Sequence, residues 1–584
     1  MASTIPWPSI WVLCHALVIM ALISMVALAR GSSATSADQS VVFSDSAMIW
    51  FLVVFTCRYA RLFLSIYSFY RYKLATPVAS PSVTNEDVTI IIPTVSCSEV
   101  DNPDFEECIT TCLINKPAEL LVVTDNAERA VEAEAVIQGI RKKLQTDMSI
   151  LKHLGPKDVS AVEIKVLSSG IASKRRQVAF AVPYVTTSLI LFVDDHVFLP
   201  PKFIPSVIPA FEDGRVGLCG TNKEVRRQTP KARTLTGRYF EAFWNVMGAV
   251  YLARHNFEIR ATNALDGGVF VVSGRAQVIR TQIVQDPEFL KGFLNERFLF
   301  GTLPPNSNTP LARHVARYVF GVEPTESENA RGLDPDDDNF VTRWVVRTGW
   351  GVKIQYSEDT KIETTLGVYP KFIQQCLRWS RTTIRSNPCS LLTDRVIWRR
   401  WPVTVWTTYI ACLFNFALIW DPVMMHALTR TQLYMNSENK AWIACVFVGW
   451  IWATKLVKPL NYFISHPMDL LLFFFPLPAG PLFSYFHSFL KAWSVLTFWD
   501  GTWSGSLLID SAAAPITHHG SGARVATTYT TIMAQAVFPD DVLPPEAKYD
   551  SRESLFMAIN SWAKPRGIHQ LIQRTGYYPV MIGL

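Results

Sequence analysis

The stretch Ser188-Leu-Ile-Leu-Phe-Val-Asp194-Asp195-His196 runs from an uninterrupted apolar segment directly into three polar side chains. Such a short apolar run predicts a strand that is buried on both faces, as in a parallel sheet covered by helices. Ligands of these sheets bind beyond the carboxyl ends of the strands. An aspartate after a strand can also be a turn or a helix cap. Three potential ligands in succession favour a divalent cation site instead.

Three similar runs precede this one: Val88–Thr94, Glu119–Asn126 and Glu163–Ser168. A stretch with helical spacing, Glu128–Leu144, lies between two of them. The alternation of strands and helices predicts an α/β domain with a mostly parallel central sheet. Asp125 follows the second run, so we expect it at the same sheet edge as Asp194. A pair of aspartates at that edge suits a nucleoside diphosphate, because one can accept from the nucleoside while the other holds a cation on the phosphates.

A second group of carboxylates lies in the middle of the chain, at Asp334, Asp336, Asp337 and Asp338. Adjacent acids repel one another, so a folded chain retains them where cations, a metal ion or a reacting proton compensate their charge. A solvated acidic loop is the alternative. About forty residues further on stands Gln375-Cys-Leu-Arg378-Trp379, and this second motif favours a functional cluster.

These residue types suit the transfer of a sugar. Asp338 can take the proton of an acceptor hydroxyl, and Asp337 beside it raises its basicity by like-charge repulsion. A divalent cation with Lys174 or Arg378 can offset the charge that develops on a leaving diphosphate. Trp379 offers a flat apolar face to a sugar ring, although packing in a core is an equally common role for tryptophan.

The composition predicts a chain with both soluble and membrane-embedded parts. Of its 584 residues, 49% are hydrophobic and 18% charged, and the mean hydropathy is positive, which is too apolar for an ordinary soluble protein. The formal net charge of +6 is small for this length, so we expect no nucleic-acid partner. The ten cysteines lack paired Cys-x-x-Cys spacing, which favours reduced thiols over a zinc site.

Apolar stretches of spanning length flank the α/β region. Ile10–Ala29 and Ala47–Phe69 predict a transmembrane hairpin within residues 1–74, with a signal peptide as the alternative for the first stretch. Basic residues in and after the second stretch place its end in the cytosol. The transferase domain, residues 75–385, is then cytosolic.

The second half of the chain predicts further membrane elements. Residues 386–401 mix Trp, Leu and Arg, which indicates an amphipathic helix at the membrane interface. Residues 402–499 would hold four C-terminal spans, namely Pro402–Trp420, Ala441–Leu456 and a hairpin within Leu460–Trp499. Residues 500–584 would form a cytosolic tail.

The ordered set of motifs resembles the processive glycosyltransferases of family 2, which are the hyaluronan, cellulose and chitin synthases. The set comprises Asp125, Lys174-Arg175, Asp194-x-His196, Ser273-Gly274-Arg275, Asp337-Asp338 and Gln375-x-x-Arg378-Trp379. The stretch from Asp336 to Trp350 is most similar to the hyaluronan synthase-like branch that includes fungal capsule-type polysaccharide synthases. The resemblance covers roughly Val88 to Arg381 by motif.

The resemblance implies a glycosyltransferase A fold embedded in a transmembrane helix bundle, and inverting transfer from a UDP-sugar with Mn²⁺ or Mg²⁺. The implied UDP-binding residues are Pro93, Asp125, Lys174, Arg175, Asp194, Gln375 and Arg378. Asp338 would be the general base beside Asp337. The acceptor site would be lined by Ser273, Gly274 and Trp379, and the metal held by Asp194 and His196.

This chain departs from the family pattern at two positions. His196 stands where the family usually has a second Asp, so the choice between Asp195 and His196 as a metal ligand stays open. An imidazole suits Mn²⁺ better than Mg²⁺. Arg275 stands where many relatives carry Pro.

The leading interpretation is an enzyme of the plasma membrane that polymerises a UDP-sugar into a β-linked polysaccharide and passes the growing chain across the lipid bilayer. Transfer of a single sugar to a membrane lipid, as in ceramide glucosyltransferases, is the alternative, and product size separates the two. A channel or scaffold with a degenerate transferase domain is a third interpretation, which predicts no UDP binding. The segment from Trp499 to Gly505 resembles one that follows the last span of hyaluronan synthases and is a candidate gating loop.

Overall fold

The computed structural model describes residues 45–146, 162–296, 336–475 and 479–498. All of them belong to one structural unit, Met1–Ala512, whereas a second unit, Ala513–Leu584, lies outside the described residues. The predicted first span, the candidate gating loop, Asp334 and the C-terminal tail also lie outside them.

A seven-stranded sheet forms the centre of the transferase domain. Its strands are β1 (Val88–Pro93), β2 (Glu119–Thr124), β3 (Glu163–Ser168), β4 (Leu189–Val193), β6 (Val216–Thr221), β8 (Ala276–Arg280) and β9 (Gly351–Gln355). Their order in the sheet is β3-β2-β1-β4-β8-β6-β9. β8 runs antiparallel to β4 and β6, and the other neighbouring pairs are parallel. The prediction of an α/β domain with a mostly parallel central sheet is therefore confirmed.

A smaller sheet lies beyond the carboxyl end of β4. It contains β5 (Val197–Phe198), β7 (Lys223–Val225) and β10 (Ile362–Thr364), in the order β5-β10-β7. Because β5 begins one residue after His196, this sheet fixes the segment that follows β4. It also places β7 next to the chain that leads into the Gln375-x-x-Arg378-Trp379 motif.

Helices cover both faces of the large sheet. They are α2 (Phe105–Ile114), α3 (Ala127–Thr146), α4 (Lys174–Ala181), α5 (Phe203–Val207), α6 (Leu235–Asp266), α7 (Thr281–Val284), α8 (Pro287–Leu294) and α9 (Asp337–Arg347), after an N-terminal α1 (Ser46–Arg71). Short 3₁₀ turns occupy Asn85–Asp87, Val182–Tyr184 and Ile208–Glu212. One apolar cluster packs α2, α3 and α5 against the sheet, and a second packs α4, α8 and α9 against the opposite face. Every residue of β1, β2 and β4 is buried, which explains why these strands have no polar alternation.

Local sequence signals begin and end the helices that carry the site. The hydroxyl of Ser173 accepts a hydrogen bond from the backbone N–H of Arg176 and caps α4. Thr234 caps α6 in the same way. Gly267 ends α6 with a φ of 78°, a left-handed conformation that favours glycine. The 32-residue α6 was not expected from the sequence, and it connects the two sheets with the C-terminal helices.

The C-terminal region is a series of helices, and apart from α15 those in the predicted spans are shorter than expected. They are α10 (Lys371–Pro388), α11 (Ile397–Arg400), α12 (Pro402–Thr404), α13 (Ala417–Thr429), α14 (Gln432–Met435), α15 (Lys440–Val457), α16 (Leu460–Ser465), α17 (Asp469–Phe474) and α18 (Ala479–Leu496). Two π-helical turns, Cys389–Asp394 and Val405–Ile410, and a 3₁₀ turn, Ala411–Phe414, lie between them.

The predicted interfacial helix over 386–401 is not a single helix, which corrects that expectation. Its first residues belong to α10, a π-helical turn follows, and Arg395 has a φ of 56°. A left-handed residue cannot continue a right-handed helix. The apolar and basic side chains that suggested one amphipathic helix are therefore divided among the end of α10, the π-helical turn and α11.

Two of the predicted C-terminal segments are also interrupted, whereas the predicted span Ala441–Leu456 lies within the unbroken α15. The chain over 402–420 breaks at Asn415 and Phe416, and the chain over 460–475 breaks at His466 and Pro467. Among the described residues, α1 and α15 are the two helices that are long and apolar enough to cross a membrane by length and composition. They pack on each other and on α13. The six-span bundle stays a prediction.

Candidate active site

Four segments meet at the carboxyl edge of the large sheet, around the ammonium group of Lys174. Its Nζ lies 2.7 Å from Oδ1 of Asp194 and 3.0 Å from Oδ2 of Asp337. The same Nζ donates to the backbone carbonyl of Gly274 at 3.1 Å. Asp194 follows β4, Asp337 begins α9, and Gly274 precedes β8. One cation therefore joins four segments that are far apart in the sequence.

The positive charge of Lys174 and the negative charge of Asp194 stabilise each other. Burial opposes the charge of Lys174, but the attraction of Asp194 and Asp337 outweighs it and raises the pKa of the amine. Burial also opposes the charge of Asp194, but Lys174 and His196 together lower the pKa of that carboxyl. Both groups are therefore ionised at neutral pH.

Asp338 is in a different electrostatic state from its neighbour. Its Oδ2 accepts a hydrogen bond from the backbone N–H of Gly274 at 3.3 Å, and its Oδ1 accepts from the backbone N–H of Asn339 at 2.8 Å. Burial, followed by repulsion from Asp337, raises the pKa of Asp338 to about 6. The predicted like-charge effect of Asp337 is present, but burial contributes more. Asp338 is thus a carboxylate that can accept a proton near neutral pH.

The third acid, Asp336, is committed to the fold. Both of its oxygens accept from the guanidinium of Arg385, at 2.6 and 2.7 Å, and the two side chains are 2% and 1% exposed. This bidentate pair fastens the start of α9 to α10, the helix that carries Arg378 and Trp379. The sequence analysis missed Arg385. Arg385 lies seven residues, or two helical turns, after Arg378, and this helical spacing is the sequence signal that could have identified it.

The Asp194-Asp195-His196 group is partly tied to β1. Oδ2 of Asp195 accepts from the hydroxyl of Thr94 at 2.7 Å, and Oδ1 of Asp195 lies 3.0 Å from Nδ1 of His196. Thr94 directly follows Pro93, the last residue of β1.

Within the described parts of the chain, no three His, Cys, Asp or Glu side chains are grouped to hold a metal ion by themselves. A divalent cation that arrives with a nucleotide needs only one or two protein carboxylates, because phosphates and waters supply its other ligands. Asp194 and Asp195 therefore fit a nucleotide-borne ion. His196 lies beside them but is engaged with Asp195, so the choice of second ligand stays open.

Asp125 lies at the same edge, as predicted from its position after β2. It forms an ion pair with Arg129, one turn along α3. Its Oδ1 is buried and accepts no hydrogen bond from the residues that the structure describes. An unused acceptor at the sheet edge suits a hydroxyl or amide donor of a ligand.

Arg175 does not face this edge, which corrects its predicted contact with UDP. Its side chain is 1% exposed and is ion-paired with Glu296, and it donates to the carbonyl of Phe293 at 2.6 Å. The guanidinium lies over the rings of Phe293 and Phe340. Adjacent residues of a helix point about 100° apart. When Lys174 faces the cleft, Arg175 therefore faces the core.

Helix α10 presents its motif to the segment before β8. The indole of Trp379 lies 5.1 Å from the ring of Tyr251 and 5.3 Å from the guanidinium carbon of Arg275. Oε1 of Gln375 accepts from the backbone N–H of Gly367 at 3.3 Å. Arg378 lies close enough to Arg275 to repel it. Ser273 is half-buried immediately before Gly274.

Lys223, which is buried, and His255, which is half-buried, form a pair near the site that the sequence did not predict. Nζ of Lys223 lies 3.1 Å from Nδ1 of His255, and Asn256 holds the backbone of Lys223 through two hydrogen bonds. Burial and repulsion from Arg275 lower the pKa of Lys223 to about 7, against the attraction of Asp338. The pair joins β7 to α6, and no local pattern links residues 32 positions apart.

Comparison with known proteins agrees with this geometry. Residues 88–382 match the family described as "Glycosyltransferase like family 2". The chain is 32% identical over 470 residues to a "Type 2 glycosyltransferase" of Gibberella zeae, covering 79% of this chain and 76% of that one. It is 31% identical over 457 residues to a "Type 2 glycosyltransferase" of Pyricularia oryzae, covering 78% and 81%.

A search of solved structures found a similarity to the mannosyltransferase PcManGT of Pyrobaculum calidifontis, determined in complex with GDP-Man and Mn²⁺. The identity is 11%, the match covers 76% of this chain and 98% of that one, and the TM-score is 0.38.

The fold and the sequence matches define an enzyme that transfers sugars from nucleotide donors and has a glycosyltransferase A-like α/β domain. The chain belongs to glycosyltransferase family 2. The predicted membership of family 2 is thus confirmed, whereas the predicted processive class stays a prediction.

Proposed function

We propose that this protein is a membrane-embedded, inverting glycosyltransferase that polymerises a UDP-sugar into a β-linked polysaccharide and passes the product across the bilayer. The observation that carries the proposal is the convergence of Asp338 and Trp379 on Arg275, since a base and a sugar-binding face are needed side by side. Tyr251, which packs on Trp379, also lies 5.7 Å from His487 of α18. The proposed acceptor site would therefore border the C-terminal helices.

Asp338 is the proposed general base. It takes the proton from the acceptor hydroxyl as that oxygen bonds to the anomeric carbon, and the bond from this carbon to the diphosphate breaks. A pKa of about 6 suits this role, because a base works best when its pKa is near the working pH. Asp337 is held by Lys174, and its charge contributes to the raised pKa of Asp338.

The donor would bind along the edge formed by β1, β2 and β4. Pro93 and Asp125 would contact the uridine, while Lys174, Gln375 and Arg378 would contact the diphosphate. Mn²⁺ or Mg²⁺ would be held by Asp194 with Asp195 or His196. When bound, the ion supplies positive charge to the leaving diphosphate.

The acceptor would occupy the opposite side of Arg275. Ser273 and Gly274 would form its floor, and the indole of Trp379 would line its side. Because Trp379 is backed by Tyr251, its plane is fixed before the acceptor arrives. Rigid placement of this kind lowers the entropic cost of bringing two substrates together.

Exposed apolar side chains support the membrane part of the proposal. Trp50, Phe63 and Tyr67 of α1 are 53%, 50% and 61% exposed, and Trp442 and Val446 of α15 are 69% and 51% exposed. Large exposed apolar faces mark contact with a partner or a membrane, and both helices have spanning length. We assign the transferase domain to the cytosolic side, because Arg61 and Arg71 lie in the C-terminal half of α1. A location in the plasma membrane would suit the export of a polymer.

The test is a donor screen with purified full-length protein in lipid nanodiscs. Each UDP-sugar is supplied with MnCl₂, released UDP is measured, and the product is sized. We expect a polymer from the wild type and none from Asp338→Asn. A lipid carrying one sugar would instead establish the single-transfer alternative, and the absence of UDP binding would support the non-enzymatic interpretation.

A further inference from the structure

Arg275 is held at the centre of the cleft by its backbone. Its carbonyl accepts a hydrogen bond from the backbone N–H of Asp194 at 3.0 Å. The preceding N–H, that of Gly274, donates to Asp338, and the N–H of Val272 donates to the hydroxyl of Thr342 in α9 at 2.9 Å. The residue is therefore fixed between the end of β4 and the start of α9.

The guanidinium of Arg275 has a defined position, but its hydrogen-bond donors are not all satisfied. Its face lies over the indole of Trp379, yet its Nε is buried and donates to none of the residues that the structure describes. A guanidinium carries five donors, and a buried donor without an acceptor costs about 1–3 kcal/mol. A site that retains such a group is built for an acceptor that the ligand brings.

The surrounding charges indicate that this acceptor is an anion. Asp194 and Asp338 attract Arg275, while Arg378 repels it. Asp194 is already paired with Lys174. Within the described residues, neither Arg275 nor Arg378 has a carboxylate within ion-pairing distance, which leaves two neighbouring guanidinium groups without a counter-ion. Such a pair is suited to an oxyanion that both can contact in a forked geometry.

We propose that Arg275 and Arg378 together clamp the β-phosphate of the nucleoside diphosphate that leaves in the reaction. This inference rests on the proposed function and adds a second arginine to it. The group that sits between Asp194, on the donor side, and Asp338, on the acceptor side, is the phosphate whose bond to the sugar breaks.

The clamp has a defined place in the chemistry. The acceptor oxygen bonds to the anomeric carbon and loses its proton to Asp338. The electron pair of the broken bond passes to a β-phosphate oxygen. Arg275 donates hydrogen bonds to the phosphate without transferring a proton, so its effect is to stabilise the charge that develops there. Trp379 holds the guanidinium in position through its ring face.

The test compares UDP with UMP, because UMP lacks the β-phosphate. Full-length wild type, Arg275→Gln, Arg275→Lys and the control Arg215→Gln are titrated with each nucleotide at fixed MnCl₂. Arg215 is a matched arginine whose side chain is 88% exposed, away from the cleft. We expect Arg275→Gln to weaken UDP binding about ten- to hundredfold, the range for charged hydrogen bonds. UMP binding should change less than about twofold.

Arg275→Lys keeps the charge but loses the forked donors, so we expect an intermediate loss of UDP affinity. Thermal unfolding of each variant checks that it is folded. Equal UDP affinity in wild type and both Arg275 variants would overturn the clamp, as would an equal loss of UDP and UMP. A raised acceptor KM with unchanged UDP affinity would place Arg275 on the acceptor instead. Failure of the wild type to bind UDP would refute the proposed function itself.

Discussion

The two sides of the cleft differ in how their charges are compensated. On the acid side, Lys174 is bonded to Asp194 and Asp337 at 2.7 and 3.0 Å. On the arginine side, Arg275 and Arg378 lie next to each other without a carboxylate partner among the described residues. On the acid side the protein itself supplies the counter-charge before any ligand binds, whereas the arginine side is arranged for an anion that comes with the substrate.

The difference reflects two separate tasks: one side of the site holds a catalytic group in place, and the other side binds a substrate. A carboxylate cluster must be stable before the substrate arrives, so its counter-charge is built into the fold. Guanidinium groups that bind a diphosphate must have donors to spare, which makes the free protein less stable locally. The following predictions test whether the two sides behave in these two ways.

The largest effect should come from Asp338→Asn, which removes the proposed base. We expect the rate of UDP release to fall about 10²- to 10⁴-fold. We also expect the melting temperature at pH 7 to rise. The folded pKa of about 6 lies above the ordinary value of an aspartate, so the charged carboxylate destabilises the folded state by its full amount at pH 7.

Asp213→Asn is the matched control for stability. Asp213 is 44% exposed on its side chain and is paired with Arg215, which lowers its pKa to about 2. A depressed pKa contributes stability above the unfolded value, so this variant should not gain stability at pH 7. If the Asp338→Asn and Asp213→Asn variants have the same melting temperature, the charged Asp338 carboxylate does not destabilise the fold.

A second effect should come from Lys174→Met, which breaks the compensation on the acid side. Two partly buried carboxylates would lose their cation, and we expect the free energy of unfolding to fall by about 2 kcal/mol at pH 7. Chemical denaturation measures it. The loss should shrink as the pH falls and the two carboxylates become protonated.

Lys143→Met supplies the comparison for a surface pair. Lys143 contacts Glu106 with side chains 67% and 49% exposed, and such pairs contribute about 0–1 kcal/mol. An equally small loss for Lys174→Met would show that the acid side is not held together by this cation.

The pH dependence of the wild type should report the same carboxylate. We expect kcat/KM for the donor to fall about tenfold per unit below pH 6, because the base must be unprotonated to react. Stability should show the opposite trend: the contribution of Asp338 weakens the fold as the pH rises from about 4 to 6. A rate profile that is flat between pH 5 and 7 would contradict the assignment.

The smallest effect should come from Gly274→Ala, at the boundary between the two sides. An added Cβ would lie 3.1 Å from Nζ of Lys174 and 3.3 Å from Cβ of Asp338. Both neighbours would shift by a few tenths of an ångström, and we expect turnover to fall roughly three- to tenfold through lost alignment. Gly214→Ala, where a Cβ meets nothing within 4 Å, should leave the rate unchanged.

Four of the seven strands of the large sheet were predicted because they are continuous apolar runs, whereas β6, β8 and β9 were not. Val88–Pro93, Glu119–Thr124, Glu163–Ser168 and Leu189–Val193 all lie within or coincide with the expected stretches. The edge positions of Asp125 and Asp194 followed from the strand ends. The helical region was predicted less well, since hydropathy counts apolar residues but does not show where Asn415, Pro467 or Arg395 interrupts the backbone.

The sequence predicted the site residues that belong to a motif, but it did not predict the roles that depend on tertiary packing. Lys174 and Arg175 are adjacent basic residues that the sequence does not distinguish. In the structure, Lys174 contacts two carboxylates, whereas Arg175 is buried against Glu296. Asp336 and Asp338 belong to one acidic cluster in the sequence, yet Asp336 is ion-paired with Arg385 whereas Asp338 has a raised pKa. Such divisions depend on which helix face meets which neighbour.

The sequence by itself determined the α/β class, the sheet edge that carries the acids and the order of the motifs, because these depend on local hydrophobicity and on residue type. The tertiary structure alone decided which charges are paired, because Lys174, Gly274, Asp337 and Asp194 meet only after long-range strand pairing. Ionic interactions and burial depend on distances of a few ångströms between segments up to 163 residues apart. No local pattern encodes those distances, and they set both the basicity of Asp338 and the unsatisfied donors of Arg275.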